Sequence, residues 1–200
     1  MMQNNYILTG SIASGKSSVL KIIAEEGYNT ISADDVVKEL YKDEEFLRSF
    51  KKEIGEKFFT IDKKLDKDKL RETLFKDISL KNRVEAFVHP LVYEKIKEML
   101  LDGFNFIEVP MFFESREYFL DSKIEIKGII FVNIDKKIQV SRLMHRNKIS
   151  EKEAIAMIDT RITSEEKIKA SNYIINNNAS EDDLKKEVLK TLERINEKAN

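Results

Sequence analysis

The feature that most constrains this chain is a glycine-punctuated loop near its start. Residues 10–17 read Gly-Ser-Ile-Ala-Ser-Gly-Lys-Ser, which matches the pattern G-x-x-x-x-G-K-[ST] at every fixed position. The preceding residues 6–9 are β-prone, and the residues that follow place their apolar side chains on one helical face. A strand, a glycine loop and a helix in this order predict a loop whose backbone N–H groups surround phosphate oxygens at the positive end of a helix.

Individual loop residues have separate expected roles. Gly10 and Gly15 allow the backbone to curl, the Lys16 ammonium can reach the β- and γ-phosphates, and the Ser17 hydroxyl can ligate Mg²⁺. A chance match is the alternative, and the strand and helix on either side argue against it. We expect ATP and Mg²⁺ as cofactors. The expected ATP-binding residues of the loop are Gly10, Ser11, Ile12, Ala13, Ser14, Gly15, Lys16, Ser17 and Ser18.

Short apolar runs alternate with helical stretches along the rest of the chain. The predicted strands are residues 6–9, 28–32, 104–109, 126–132 and 173–175. Residues 35–102 read as helical throughout, a capping box at residues 150–153 opens another helix, and a C-terminal amphipathic helix begins near residue 180. This alternation predicts an α/β fold of three layers, with a mostly parallel five-stranded sheet covered on both faces.

Composition excludes several other classes of protein. A formal net charge of −1 argues against nucleic-acid binding, the absence of cysteine excludes disulfides and thiolate chemistry, and two histidines are too few for a histidine-rich metal centre. Apolar runs fall short of the roughly 18–20 residues that span a bilayer, and residues 1–5 lack the features of a secretory signal. We expect one cytoplasmic domain that binds a small molecule and no membrane. The sequence does not indicate an oligomeric state.

Two aspartates follow the second predicted strand. The carboxyl ends of parallel strands share one edge of the sheet, so Asp34 is expected to face the same crevice as the loop. A carboxylate there could orient an acceptor hydroxyl and accept its proton. The alternative is a helix N-cap, and between the two residues Asp35 suits the cap better and Asp34 the base.

A pair of arginines follows the fourth predicted strand. Arg142 and Arg146 stand four residues apart, on one face of a helix that also carries Gln139. Such a pair could close over a triphosphate and neutralise charge during transfer. A solvated charged face is the alternative with equal weight, and His145 between them is expected to be a surface residue.

Beyond the loop, several segments resemble the motifs of dephospho-CoA kinases, in the order in which that family has them. His-Pro at residues 89–90 and Val-Pro-Met-Phe-Phe-Glu at residues 109–114 are the most specific, because the phosphate loop occurs in many enzymes. The other matching segments are residues 9–17, 33–34, 139–146 and 171–177. The resemblance runs from about residue 7 to residue 190.

The resemblance implies ATP-dependent phosphorylation of the ribose 3′-hydroxyl of dephospho-CoA, the last step of coenzyme A synthesis. It also implies a division of the single P-loop domain into a core, a helical substrate-binding region and a lid. The core would be about residues 1–34, 104–138 and 166–200, the helical region about 35–103 and the lid about 139–165. By position, Asp34 would be the acceptor-side base, Lys16 would serve the phosphates, and Arg142 would be the lid arginine.

Three further residues have two readings each. His89 either lines the substrate pocket or packs in its helix before Pro90. Glu114 is either a carboxylate of the substrate pocket or a helix cap, and Asn177 either meets the adenine from its loop or makes a turn.

The chain also departs from the family pattern. Ser32, Ser11, Ala13, Lys67, Met157, Arg161 and Asn172 stand where relatives carry other residues. The changes at Met157 and Arg161 bear on the lid, whereas the fixed positions of the loop are untouched. Two rival functions remain: another P-loop small-molecule or nucleotide kinase with a different acceptor, and a non-catalytic nucleotide-binding protein. A GTPase fits poorly, because residues 147–150, Asn-Lys-Ile-Ser, lack the aspartate of the guanine motif.

Overall fold

The computed structural model describes residues 3–62, 64–158 and 162–199. The strands are β1 (Gln3–Gly10), β2 (Asn29–Ser32), β3 (Gly103–Glu108), β4 (Gly128–Asn133) and β5 (Tyr173–Asn176). The helices are α1 (Lys16–Glu25), α2 (Ala33–Leu40), α3 (Glu44–Ile54), α4 (Lys67–Lys76), α5 (Ile78–Glu98), α6 (Arg116–Asp121), α7 (Lys136–Asn147), α8 (Glu151–Ile158), α9 (Ser164–Lys169) and α10 (Glu181–Ala199).

The five strands form one parallel sheet in the order β2-β3-β1-β4-β5, which confirms the predicted fold class. The central strand β1 lies between β3 and β4, with Gly10 opposite Val132. The connection from β1 to β2 and the connection from β4 to β5 cross the sheet in opposite directions. Because connections between parallel strands are right-handed, α1 and α9 lie on opposite faces of the sheet. The phosphate loop therefore leaves the middle of the sheet at its carboxyl edge.

Two compact units make up the chain. The sheet unit contains Met1–Ser32, Leu100–Arg116 and Glu125–Asn200. One core cluster joins the sheet to α1 and α10. The buried members of this core include Leu8, Phe106, Ile130, Ile175, Val19, Ile23, Val188 and Leu192. Fully buried side chains on the central strands explain why their sequences read as continuous apolar runs.

The helical unit contains Ala33–Met99 and Glu117–Ile124. An aromatic cluster forms part of its core, with the rings of Tyr41, Phe46, Phe50 and Phe87 between 5.0 and 6.0 Å apart. Burial raises the pKa of Tyr41 to about 12. No helix in the described ranges is both long and apolar enough to cross a membrane.

The expectation of continuous helix over residues 35–102 is wrong: the helices are interrupted at residues 41–43, 55–66 and 77, and the last of them ends at Glu98. The longest interruption follows α3. Helix α3 ends at Gly55, whose φ of 125° is available to glycine and strained for other residues. A single 3₁₀ turn and an antiparallel bridge between Phe59 and Leu65 follow. The next helix begins only after Asp66, whose carboxylate accepts a hydrogen bond from the Lys69 N–H.

Candidate active site

Both fixed glycines of the loop are required by close approaches. A Cβ on Gly10 would lie 2.6 Å from the backbone oxygen of Val132 and 2.8 Å from the Ser14 Oγ. A Cβ on Gly15 would lie 2.2 Å from the Asn177 Nδ2, and the Gly15 φ of 93° is in the left-handed region. Neither position accepts a side chain, so the backbone itself lines this site.

The middle of the phosphate loop packs against α7 and α8, the helices that follow β4. Ile12 and Ala13 contact a small buried cluster of Val140, Leu143 and Ala154 from α7 and α8. Ala13 adopts a φ of 57° without being glycine, which costs about 1–2 kcal/mol. The cluster gains the Ala13 methyl in exchange.

Two buried amide side chains hold the loop from outside. Gln139 donates from Nε2 to the Ile12 carbonyl at 2.7 Å, and Asn177 donates from Nδ2 to the Ser14 carbonyl at 2.8 Å. Both side chains are buried. Because C=O and N–H point in opposite directions across a trans peptide, these bonds turn the N–H groups of Ala13 and Gly15 away from the two amides. The loop is held in the orientation that an anion requires.

Lys16 and the serines after it complete the loop. The Lys16 ammonium donates to the carbonyls of Gly10 at 2.9 Å and Ser11 at 3.1 Å. Ser17 and Ser18 are exposed on the first turn of α1. Ser14 is fully buried, and its hydroxyl finds no hydrogen-bond partner in the part of the chain that the structure describes. The loop thus presents a cation and two exposed hydroxyls at a helix N-terminus.

The two arginines of α7 differ in position. Arg142 is half-buried, donates to the Asn177 carbonyl at 3.4 Å, and holds its Nη1 3.7 Å from where a Cβ on Gly15 would be. Arg146 is exposed, and its Nε donates to the Asn147 Oδ1 at 3.0 Å. The structure places Arg142 beside the loop and leaves Arg146 on the surface near His145, which is also exposed as expected.

Asn177 and Gln139 are more than turn or surface residues. The prediction that Asn177 makes a turn does not account for its side chain, which contacts the phosphate loop. The sequence alone assigned no role to Gln139. The spacing of Gln139 and Arg142 on one helix is the signal that could have linked both to the same site. Of the other departures, Asn172 accepts a hydrogen bond from the Ile129 N–H at 2.8 Å, which an aspartate would also do. Arg161 lies outside the described residues.

Asp34 and Asp35 are the second and third residues of α2, which begins at Ala33, so the N-cap reading is wrong for both. Asp35 pairs with Lys38 at 2.6 Å on the surface. Asp34 is exposed, and none of residues 3–62, 64–158 and 162–199 donates a hydrogen bond to its carboxylate.

Glu114 takes part in a buried ion pair that sequence reasoning missed. Its Oε1 accepts from the Lys167 ammonium at 2.6 Å, and the two side chains are 17% and 7% exposed. Helix α6 begins two residues later, at Arg116, so Glu114 is not its cap. The second oxygen of Glu114 is buried without a donor among the described residues. Lys167 follows a capping box in a charge-rich stretch, and nothing in the sequence distinguishes it from the surrounding lysines.

His89 lies in the helical unit, half-buried on α5. Its ring centroid is 4.6 Å from that of Tyr118 and 6.0 Å from that of Tyr93. Burial lowers the pKa of His89, and the nearby Glu85 carboxylate partly opposes this. At neutral pH the imidazole is therefore uncharged and available for hydrogen bonding.

The phosphate loop follows the central strand of a parallel sheet, and α7 holds Arg142 beside that loop. This arrangement defines a P-loop phosphotransferase. The dephospho-CoA kinase family model matches residues 6–183 of the chain. The chain therefore belongs to the dephospho-CoA kinase family, and it is a kinase.

Individual relatives agree with this membership. A dephospho-CoA kinase of Campylobacter jejuni is 32% identical over 97% of this chain and 98% of the relative. One of Fusobacterium nucleatum is 32% identical over 94% and 96%. A solved structure of dephospho-CoA kinase from Campylobacter jejuni covers 98% of each chain at 29% identity, with a TM-score of 0.63. The similarity extends through both compact units.

Proposed function

We propose that the phosphate loop of this kinase holds ATP and that Asp34 accepts the proton of the acceptor hydroxyl. The reaction transfers the γ-phosphoryl group of ATP to the ribose 3′-hydroxyl of dephospho-CoA, giving coenzyme A and ADP, the last step of coenzyme A synthesis. The acceptor is a small molecule. A cytoplasmic location stays a prediction from the sequence.

The observation that carries the ATP site is the loop held by Gln139 and Asn177. Its N–H groups and the N-terminus of α1 supply fixed positive dipoles, which stabilise phosphate charge without reorganising during transfer. The Lys16 ammonium lies at the loop already and would exchange its carbonyl partners for phosphate oxygens. Arg142 lies next to Gly15, where a cation can neutralise charge on the moving phosphoryl group.

Mg²⁺ fits the donor set at this loop. It prefers hard oxygen ligands and keeps several waters, so it needs few protein ligands when phosphates are present. The exposed Ser17 hydroxyl, in the first turn of α1, is the residue that would hold it. When bound, the ion neutralises charge on the β- and γ-phosphates.

Asp34 is supported as the base by its place in the chain and its exposure. Strand β2 ends at Ser32, at the carboxyl edge of the sheet where β1 also ends, and Asp34 follows two residues later. Its carboxylate is exposed, and Asp35 is paired with Lys38 instead. A free carboxylate can orient a hydroxyl and accept its proton, which contributes about 10²–10⁴-fold to rate.

Two regions would complete the enzyme around this loop. The residues from 35 to about 103 would form the helical substrate-binding region, with His89 in contact with the acceptor. Residues from about 139 to 165 would form the lid over ATP. Glu114 is a weaker candidate for the acceptor pocket, because its pairing with Lys167 supports a structural role. Arg146 would contact ATP only if the lid moved.

The test is a single-turnover comparison of Asp34→Asn with Asp35→Asn. Both changes remove one negative charge from the first turn of α2, and only the first removes the proposed base. We expect Asp34→Asn to slow phosphoryl transfer at least about 100-fold while ATP binding is unchanged, and Asp35→Asn to react like wild type. Equal rates in the two variants would remove Asp34 from the mechanism.

A further inference from the structure

Helices α7 and α8 form a hairpin whose connection is fixed at both ends. Lys148, the residue after α7, adopts a φ of 54° in the left-handed region. Ser150 and Glu153 make a capping box at the start of α8, in which the Ser150 N–H donates to the Glu153 carboxylate at 2.8 Å and the Glu153 N–H donates to the Ser150 hydroxyl at 3.4 Å. Because residues 148–150 alone separate the two helices, the hairpin is a defined unit.

The phosphate loop completes the apolar interior of this hairpin. The buried members of the interior are Val140, Leu143 and Ala154. Ile155 and Ile158 of α8 pack against these residues, and so do Ile12 and Ala13 of the loop. Helices of 12 and 8 residues are marginal on their own, so the loop side chains are part of the core that holds the hairpin together. In such close packing, a change on α8 is transmitted to α7 and the loop.

The face of α7 that packs on the loop also carries two polar side chains. Gln139 donates to the Ile12 carbonyl at 2.7 Å, and Arg142 holds its Nη1 3.7 Å from where a Cβ on Gly15 would be. With about 100° between successive residues of a helix, Arg142 and Leu143 lie on either side of Gln139 around α7. The rotation of α7 about its axis therefore sets how far the Arg142 guanidinium lies from the loop.

A small rotation of α7 is enough to affect catalysis. The outer end of a helical side chain lies about 5–6 Å from the helix axis, so a rotation of about 10° moves it by roughly 1 Å. A misplacement of about 1 Å can slow an enzymatic step by about 100-fold. The apolar cluster between the hairpin and the loop is packing that opposes this rotation.

We propose that Ile155 is a positioning residue for phosphoryl transfer and acts through α7 on Arg142. The inference rests on the role of Arg142 in the proposed function. Ile155 has no polar group to offer a substrate, and its branched side chain is stiff, so it keeps α7 and α8 at a fixed spacing. Its side chain can be shortened without changing any residue of the loop or of α7.

The test is a double-mutant cycle on the single-turnover rate of phosphoryl transfer from saturating ATP to dephospho-CoA. The four proteins are wild type, Ile155→Ala, Arg142→Gln and the double variant. Leu101→Ala is the control, because it shortens an isomeric side chain that is exposed and lies before β3, at the amino edge of the sheet. Ile155→Leu keeps the volume of the cluster and tests for rescue.

We expect Arg142→Gln to slow transfer about 100-fold or more, because a donor to the transition-state charge is lost. Ile155→Ala should slow transfer about tenfold through a smaller shift of the guanidinium, and Ile155→Leu should react within about twofold of wild type. In the Arg142→Gln background, Ile155→Ala should have no further effect on the rate, since no guanidinium is left to position. The KM for dephospho-CoA should be unchanged in Ile155→Ala, and Leu101→Ala should react like wild type.

A double variant slower than Arg142→Gln by the full factor seen for Ile155→Ala would overturn the positioning role. A wild-type rate in Ile155→Ala, or an equal loss in Leu101→Ala, would overturn it as well. If urea unfolding shows that Ile155→Ala does not fold, Ile155→Val takes its place in the cycle, with a smaller expected loss.

Failure of the proposed function would show differently. A wild-type rate in Arg142→Gln would refute the role of Arg142 in that function, and this inference with it. If the wild-type enzyme transfers nothing to dephospho-CoA, the proposed function fails, and the same cycle run on the rate of ATP hydrolysis decides the positioning role of Ile155.

Discussion

Replacing Asn177 with alanine tests how the phosphate loop is held. The Asn177 Nδ2 donates to the Ser14 carbonyl at 2.8 Å in a buried setting. Alanine leaves that carbonyl buried without a donor, which costs about 1–3 kcal/mol. The backbone N–H of Asn177 still donates to the Asn133 carbonyl, so the chain path after β5 is preserved.

The assay has two readouts. Urea unfolding should show a midpoint lowered by about 1 M, for a loss near 2 kcal/mol and an m-value near 2 kcal/mol per M. The KM for ATP should rise several-fold more than the KM for dephospho-CoA, because the unrestrained loop must be ordered again around the phosphates. A purely structural asparagine would lower stability without this difference between the two substrates.

Asn176→Ala is the matched control. Asn176 is the preceding residue, and its Oδ1 accepts from the Asn133 Nδ2 at 2.9 Å on the surface. Its loss should change the free energy of unfolding by no more than about 0.5 kcal/mol and leave both KM values unchanged. If Asn177→Ala matched this control in stability and in the KM for ATP, the reasoning about the loop would be refuted.

Three further predictions concern single contacts. Gly10→Ala forces a methyl to within 2.6 Å of the Val132 oxygen, so we expect a loss of roughly 1–3 kcal/mol in urea unfolding, and wild-type stability would contradict the geometry. Lys167→Met should lower the free energy of unfolding by about 3–5 kcal/mol, because the Glu114 carboxylate stays buried without its partner. The double variant Lys167→Met/Glu114→Gln should recover most of that loss, and additive losses would contradict the pairing. Burial lowers the pKa of His89, so below about pH 6.5 the unfolded chain binds the proton that the folded chain rejects. The free energy of unfolding should therefore fall between pH 7.5 and pH 5.5, and a fall of the same size in His89→Gln would exclude this histidine as the cause.

Much of the fold followed from local sequence. The alternation of apolar runs with helical patterns predicted the parallel sheet, and the glycine loop marked its carboxyl edge. The central place of β1 in the strand order came only from the structure. The prediction failed at Gly55, because a glycine within a helical pattern is tolerated often enough that it does not by itself mark a break. Local patterns also misplaced the start of α2, where Ala33, not an aspartate-capped residue, begins the helix.

The contacts that build the site were less predictable, because they join residues far apart in sequence. Asn177 and Ser14 are 163 residues apart, and Gln139 and Ile12 are 127 apart. Lys167 and Glu114, 53 residues apart, form their pair in a chain with 35 basic and 36 acidic residues. A single sequence offers many equivalent partners for each such side chain, and only the three-dimensional structure selects one of them.

The most direct measurement is the rate of ADP release from ATP with three acceptors: dephospho-CoA, coenzyme A and adenosine monophosphate. Coenzyme A carries the same arm and diphosphate, but its 3′-hydroxyl is already phosphorylated. We predict rapid ADP release with dephospho-CoA, a product indistinguishable from coenzyme A, and background rates with the other two. Turnover of adenosine monophosphate without turnover of dephospho-CoA, or equal rates with coenzyme A and dephospho-CoA, would contradict the assigned reaction.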